Sequence, residues 1–461
     1  MDLKKNQIIE LDIVDITNLG FGVGRHNGKV VFVSDAVVGD IVKAKIIKVS
    51  AGFTVGRVEE YVRKSPFRTE GRCSCTRCKS CAYKSVGYDK ELEIKAEIIR
   101  TAFKKSGLSD VRLTEVIPSP ALTAYRNKAQ YPIAVTSDGD YVIGFFAPKS
   151  HRVTEAASCP LAPKEFVDIL EDLRAFFKEN SISVYDEESG RGLLRHIYLR
   201  RGEVSGEILL TIVINGSSLP GSDRLVQMLK EKYSGLVGVL LNVNQKNTNV
   251  ILGDEFITLY GRDYIIDTLC GVKLKITAPS FYQVNHGAAE ILYGEARRLA
   301  APESTDTLLD LYCGAGSIGL SMAADCQEVI GVEIVESAVE CARFNAELND
   351  IKNASFYAAD AKNTESLLSG AEARRGEKIL PDIVILDPPR AGCDEALLSY
   401  VSSLSPRKIV YISCNPQTLA RDVAILRPLG YSTSEVIGVD LFPGTGHVES
   451  VVCLESQSDV I

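Results

Sequence analysis

Cys414 stands in the run Ser413-Cys-Asn-Pro416, directly after Lys408-Ile-Val-Tyr-Ile412. β-Branched and aromatic residues entered behind a proline read as a short buried strand. Asn-Pro then ends it, because Pro416 cannot continue a ladder. The cysteine therefore falls where a parallel strand runs out, the edge at which open α/β sheets bind ligands. There its thiolate is a candidate nucleophile. Taken alone, a free cysteine is more often a small core residue, so the other strand ends must decide.

Residues 303–461 alternate strand and helix patterns, the signature of a parallel sheet with crossover helices. Thr307-Leu-Leu-Asp-Leu-Tyr-Cys runs into Gly314-Ala-Gly316-Ser-Ile-Gly319, a G-x-G-x-x-G turn opening a helix. A second strand, Glu328 to Glu333, ends in an acid at the position that grips ribose hydroxyls. A third ends at Asp360, and a fourth at Asp387 in Asp387-Pro-Pro-Arg390. The last strand, near Gly446 to Cys453, carries Glu449 close to its start. Asp310, Tyr312, Glu333, Asp360, Asp387 and Cys414 thus gather at one edge, which core packing does not explain. The turn suits a nucleotide cofactor. NAD would bring a pyrophosphate to it, which Asp310 would repel; S-adenosylmethionine would bring an ammonium that Asp310 would welcome.

A second constellation is Cys73, Cys75, Cys78 and Cys81, within nine residues. In a reducing compartment such crowding points to metal rather than disulfides. Zinc and iron–sulfur both suit thiolates. Cys159, followed by Pro160, is a further candidate ligand. Residues 63–90 around the cluster hold eight Lys/Arg and two acids, while the 461-residue chain carries a net charge of −8. Local basic patches, not whole-chain charge, decide nucleic-acid binding.

The elements that must position these groups divide the chain in three. Residues 1–62 read as short strands with turn signals at Gly20–Gly24 and Asn27-Gly28, a small barrel of the OB type. Alternation in Val42-Lys-Ala-Lys-Ile-Ile-Lys48 sets lysines on one face, suited to RNA backbone. Residues 63–275 form a central α+β domain. Its helix near 90–108 shows i,i+4 charge pairs, ends near Gly107, and is free to pack on the last domain. Tyr125-Arg-Asn-Lys128 precedes a strand, and Gly192 to Arg200 alternates as a solvated basic strand would. Residues 276–461 form the doubly wound domain. Apolar content of 45% and charged content of 24% are those of a soluble globular protein. No apolar run reaches the roughly 20 residues of a membrane span, and the N-terminus lacks a signal-peptide core. A cytoplasmic, monomeric protein with no membrane partner is expected.

In order along the chain, Cys73…Cys78-x-x-Cys81, Tyr125-Arg-Asn-Lys128, Leu194-Arg-His196 and Ser280-Phe-Tyr-Gln-Val-Asn285 are followed by Leu309-Asp-Leu-Tyr-Cys-Gly-x-Gly316. Asp387-Pro-Pro-Arg390, Ser413-Cys-Asn-Pro416 and His447-Val-Glu449 complete the set. Over essentially its whole length the chain resembles the RNA (uracil-5-)-methyltransferases of the TrmA/RumA type, and Gly20 to Val33 resembles the TRAM module of RNA-modifying enzymes. The resemblance implies a TRAM domain, a central domain with a [4Fe–4S] cluster, and a Rossmann-like methyltransferase domain. It implies S-adenosyl-L-methionine at Gln283, Tyr312, Gly314, Gly316, Glu333, Asp360 and Asp387. Cys414 would be the nucleophile, Glu449 the base, and Cys73, Cys78, Cys81 and Cys159 the cluster ligands. Two departures stand out: Cys73 and Cys78 are spaced more closely than in the family, leaving Cys75 as an alternative to Cys73, and the Gln-His pair usual after Cys81 is absent. The expected substrate is uracil in RNA, 23S rRNA ahead of tRNA. The rivals are a non-catalytic metal-bearing RNA-binding protein and an NAD-dependent oxidoreductase.

Overall fold

The computed structural model describes residues 3–457 apart from 72, 74, 76, 77, 79, 149, 156–158, 366–368 and 370–377. At the N-terminal end is a six-stranded sheet. Its spatial order is Ile8–Asp12, Ile41–Val49, Thr54–Arg63, Lys29–Ser34, Gly22–His26, Asp15–Ile16. Alternate residues turn inward, so that Ile9, Leu11, Val31, Val33, Val42 and Ala44 form its core. Asn27 and Gly28 both take positive φ, 50° and 81°, the geometry of a two-residue hairpin, and join His26 to Lys29. Gly22 and Gly24, read from sequence as turn, lie inside a strand. A Cβ on Gly22 would come within 2.8 Å of the Ala36 and Ile13 side chains; this glycine permits close packing rather than a bend. The lysine face is also less basic than its alternation suggests. Lys43 pairs with Glu60 at 2.8 Å and lies opposite Glu10 on the neighbouring strand.

The central sheet has seven strands, in the order Val153–Glu155, Tyr141–Phe146, Lys128–Val135, Leu194–Arg201, Ile208–Ile214, Leu236–Val243, Glu255–Gly261. Phe166, Ile169, Leu173 and Phe177 of the helix Lys164–Glu179 pack on it. Leu194–Arg201, expected to be solvated, is buried almost throughout, because it is the middle strand and both faces are covered. Its cations are held by main-chain carbonyls: Arg195 Nη1 donates to Asn244 O at 2.6 Å and Arg200 Nε to Ala278 O at 3.1 Å.

The largest sheet has nine strands. Five parallel ones run in the order Ala354–Ala358, Glu328–Glu333, Thr307–Leu311, Ile383–Leu386, Lys408–Ser413. The interior residues of the inner four are buried, as in a parallel sheet with helices on both faces, while the edge strand Ala354–Ala358 buries Phe356. Glu449–Ser456 follows antiparallel to Lys408–Ser413, then Glu435–Val439, then Arg112–Ile117 at the edge; Tyr431–Ser432 also pairs with Glu449–Ser456. The edge strand Arg112–Ile117 comes from far upstream. It follows the helix Tyr88–Lys105, which packs on the helix Pro416–Leu426 and stops before Gly107 at φ 76°. Among the described residues, no helix is long and apolar enough to cross a membrane.

Candidate active site

At the carboxyl ends of the parallel strands lies a cavity of about 760 Å³. The glycine turn forms one wall. Thr307–Leu311 ends, Tyr312 turns into positive φ at 66°, and Gly316 at φ 80° caps the short helix Ser317–Met322. Tyr312 and Gly314 line the cavity. Gly316 does not; it makes the turn, and a Cβ there would press on the Phe356 ring at 3.0 Å. Glu333 lines the cavity too and steadies the turn, its Oε2 accepting the Gly314 N–H at 3.1 Å. Asp360 lines the cavity and accepts the Lys362 N–H at 3.0 Å.

Asp310 departs from expectation. It is fully buried, its Oδ2 accepts the Gly319 N–H at 2.9 Å, and it is absent from the cavity wall. It fastens the turn to its helix instead of facing a ligand. Burial raises its carboxyl to about 7.

The opposite wall carries the thiol. Ser413 pairs with Ser450 across antiparallel strands, so Cys414, one residue on, meets Glu449, one residue back. Both line the cavity, as does Asp387. Strand and loop are tied together. Asn415 caps the helix Pro416–Leu426, accepting from the Gln417 N–H at 3.2 Å, while its Nδ2 donates to Arg390 O at 3.0 Å. Arg421 Nη2 donates to Ala391 O at 3.0 Å and Cys393 O at 2.9 Å. The Asp387-Pro-Pro-Arg390 loop is thereby held against Cys414.

Burial and the Glu449 charge push the Cys414 thiol up, while the Arg390 guanidinium, hydrogen-bonded to it, pulls down. Burial, then Asp387, raise Glu449 to about 8, with Arg390 opposing. Desolvation raises the half-buried Asp387 to about 7. A thiol and two carboxyls thus share one side of the cavity with a guanidinium. Perturbed groups of this kind mark catalytic sites.

Gln283 sits in the third wall, its backbone carbonyl accepting from Asn127 Nδ2 at 2.8 Å and its side chain bonded to the buried Tyr293 hydroxyl. Lys128, Phe281, Phe442 and His447 complete the enclosure. Lys128 is lowered to about 8 by burial and by Arg200 and Arg126. Sequence reasoning assigned no role to these residues, to Arg390 or to Tyr293. Arg390, Lys128, Phe281 and His447 stood in motif runs without a role of their own; Phe442 sits in a loop with no periodic signal.

That loop is clamped from several directions. Lys95 Nζ lies 2.7 Å from both Glu91 and Asp440, and all three side chains are wholly buried. The Gly444 N–H donates to Glu91 at 2.6 Å, and the Phe442 N–H to Asp440 at 3.1 Å. The Tyr83 N–H donates to Gly444 O at 2.8 Å, and Asn285 Nδ2 to Leu441 O at 3.0 Å.

The cysteine segment ends beside these contacts. Cys73, Cys75, Cys78, Cys81 and Cys159 are free thiols. The charges acting on Cys81 include those of Cys159, Cys73 and Cys78, with Arg126 opposing. Among the described residues, no three His, Cys, Asp or Glu side chains meet as a metal site.

An open parallel sheet with a glycine turn, acids at the ends of the next three strands along the chain and an inserted antiparallel strand defines a methyltransferase fold. The tRNA (uracil-5-)-methyltransferase family model matches residues 87–457, and the TRAM domain model residues 2–58. The chain belongs to that RNA methyltransferase family and carries an N-terminal TRAM domain. An uncharacterized RNA methyltransferase of Clostridium acetobutylicum is 39% identical over 457 residues, 98% of each chain. Another, from Halalkalibacterium halodurans, is 36% identical over 462 residues, 99% of this chain and 98% of the relative. Among solved structures, the tRNA (uracil-54, C5)-methyltransferase of Pyrococcus abyssi, in complex with S-adenosyl-L-homocysteine, superposes with a TM-score of 0.75. It is 27% identical, over 97% of this chain and 100% of that one.

Proposed function

We propose that this chain methylates C5 of uracil in RNA, with Cys414 as nucleophile, Glu449 as base, and S-adenosylmethionine as methyl donor. The observation that carries the reading is the antiparallel pairing of Ser413 with Ser450, which sets thiol and carboxyl side by side in the cavity that the glycine turn also lines.

Uracil C5 is a weak nucleophile. Attack of the Cys414 thiolate on C6 turns the ring into an enolate whose C5 can take a methyl group. Arg390 favours the thiolate by its charge and hydrogen bond. The donor supplies an electrophilic methyl on a sulfonium; Gln283, Tyr312, Glu333, Asp360 and the Gly314–Gly316 turn hold it. Glu449 then removes the C5 proton, and elimination across C5–C6 frees Cys414. A carboxyl held near 8 is matched to that task. Asp387 at about 7 either accepts from N3–H as a carboxylate or helps hold the donor.

Cys73, Cys78, Cys81 and Cys159 are our candidates for a [4Fe–4S] site. The support is a donor set made of thiols alone, and the electrostatic reach of the other three on Cys81. Bound there, such a cluster would supply an anionic centre beside Arg126. Anaerobically purified protein should contain iron and sulfide; stoichiometric zinc without iron would refute it.

Ribosomal RNA is our first reading of the substrate. Transfer RNA is the second, favoured by the name of the Pyrococcus abyssi neighbour. Mass spectrometry of 23S rRNA and tRNA from cells with and without the chain distinguishes them. Loss of 5-methyluridine from neither RNA would refute uracil methylation.

A further inference from the structure

The cavity is electrically lopsided. Glu333, Asp360, Asp387 and Glu449 all reach it from the nine-stranded sheet. On the side contributed by the central sheet the charge reverses. Lys128 lines the cavity from the first position of the strand Lys128–Val135, opposite Arg200 on the next strand. Residues directly opposite in an antiparallel pair project from the same face, so the two cations are neighbours. Arg200 is 1% exposed and its guanidinium is spent on the carbonyls of Ala278 and Ser280. Among the described residues Lys128 has no acidic partner, and the charges that act on it are those of Arg200 and Arg126. Arg126 Nε is itself buried and has no hydrogen-bond partner among the described residues. A cation left half-buried among cations, with no carboxylate to answer it, is costly unless an anion arrives.

Two anions are in play under the proposed reading, the donor's carboxylate and an RNA phosphate. The local geography favours the phosphate. Arg200 bonds to Ser280, and the next residue, Phe281, is 71% exposed while lining the cavity. The Lys128 corner therefore adjoins the open rim, whereas Cys313 of the glycine turn is 5% exposed. An enzyme that works on one base must draw it out of the stack into its pocket, leaving the flanking phosphate at the mouth. Of the acids on the far wall, Glu333 and Asp360 would repel that phosphate.

The geometry points to Lys128 as a phosphate-binding residue at the cavity mouth, taking the phosphodiester next to the extruded uridine. This rests on the reading of the chain as an RNA uracil methyltransferase. Lys128 binds substrate RNA and takes no part in binding the methyl donor.

The test compares wild type, Lys128→Met and Lys128→Arg as full chains. Affinity for a short oligouridylate is followed against salt, and affinity for S-adenosylmethionine by calorimetry. Lys128→Met should weaken RNA binding roughly tenfold and flatten the log K against log salt slope by about 0.7, the share of one phosphate on a single strand. Lys128→Arg should restore both, which excludes misfolding as the cause. Donor affinity should stay within about twofold in both variants, the scale of an untouched site. Weaker donor binding with an unchanged salt slope would overturn the proposal in favour of the carboxylate. Unchanged affinity for both ligands would reduce Lys128 to a structural residue. Methyl transfer by wild type to RNA is scored separately. Its absence would refute the functional reading, while an altered salt slope would still identify the phosphate contact.

Discussion

Two buried acid clusters lie at either end of one short stretch, residues 440–449, and they are built on opposite principles. In the Glu91–Lys95–Asp440 triad, a wholly buried lysine sits 2.7 Å from each carboxylate. The carboxylates also take backbone N–H groups of the loop, at Gly444 and Phe442. In the cavity, Glu449 is nearly as buried and Asp387 half-buried, and among the described residues the cation acting on Glu449 is Arg390, shared with the Cys414 thiol. The first cluster holds its charges by pairing them; the second leaves its acids proton-hungry. Buried charge is structural where it is answered and chemical where it is not.

The comparison breaks most sharply at the thiol. Cys414→Ala should lower methylation by on the order of 10⁴-fold or more, with S-adenosylmethionine binding retained in calorimetry; substantial turnover would remove the covalent step. Next is Glu449→Gln, which should cost about 10²–10⁴-fold in turnover. Because methyl transfer precedes proton removal, a methylated protein–RNA adduct should persist on denaturing gels. Free methylated product at the wild-type rate would reject Glu449 as base. The same variant carries a pH signature. An unfolded glutamate titrates near 4.3 and the folded one near 8, so between these values the folded state keeps a proton that the unfolded state releases. Stability therefore falls as pH rises from about 4.3 to 8, and Glu449→Gln should melt progressively higher than wild type across that window.

The triad should respond in the other sense. Lys95→Met strands two buried carboxylates and should cost about 3–5 kcal/mol in denaturant unfolding. Adding Glu91→Gln and Asp440→Asn should recover much of it; no recovery would mean that the lysine acts through packing alone. The smallest effect is at Arg390. Arg390→Met should move the alkylation profile of Cys414 by iodoacetamide toward higher pH, so that alkylation at a fixed pH below the thiol's titration slows by up to roughly tenfold. An unmoved profile would separate Arg390 from the thiol.

Strand ends were the most legible part of this chain. Glu333, Asp360, Asp387 and Cys414 fall at the rim because a parallel strand covered on both faces is written as a continuous apolar run, and its end is marked by the first polar residue or turn. Burial was less legible. Leu194–Arg201 alternates in sequence like a surface strand, but its position between two neighbours buries Arg195 and Arg200 against carbonyls. Gly22 reads as a turn until Ile13 and Ala36 are seen to crowd it.

The sequence by itself determined the strands, the glycine turn, the hairpin at Asn27-Gly28 and the identity of the chemical groups, since each follows from local residue preference and period. Only the tertiary structure decided which groups meet. It turned the Asp310 carboxylate onto the helix that follows the glycine turn, brought Glu449 beside Cys414 through antiparallel pairing, and set Lys128 from the central sheet into a cavity walled by the acids of another. Such meetings depend on strand order and register between segments far apart in the chain, and no local preference encodes them.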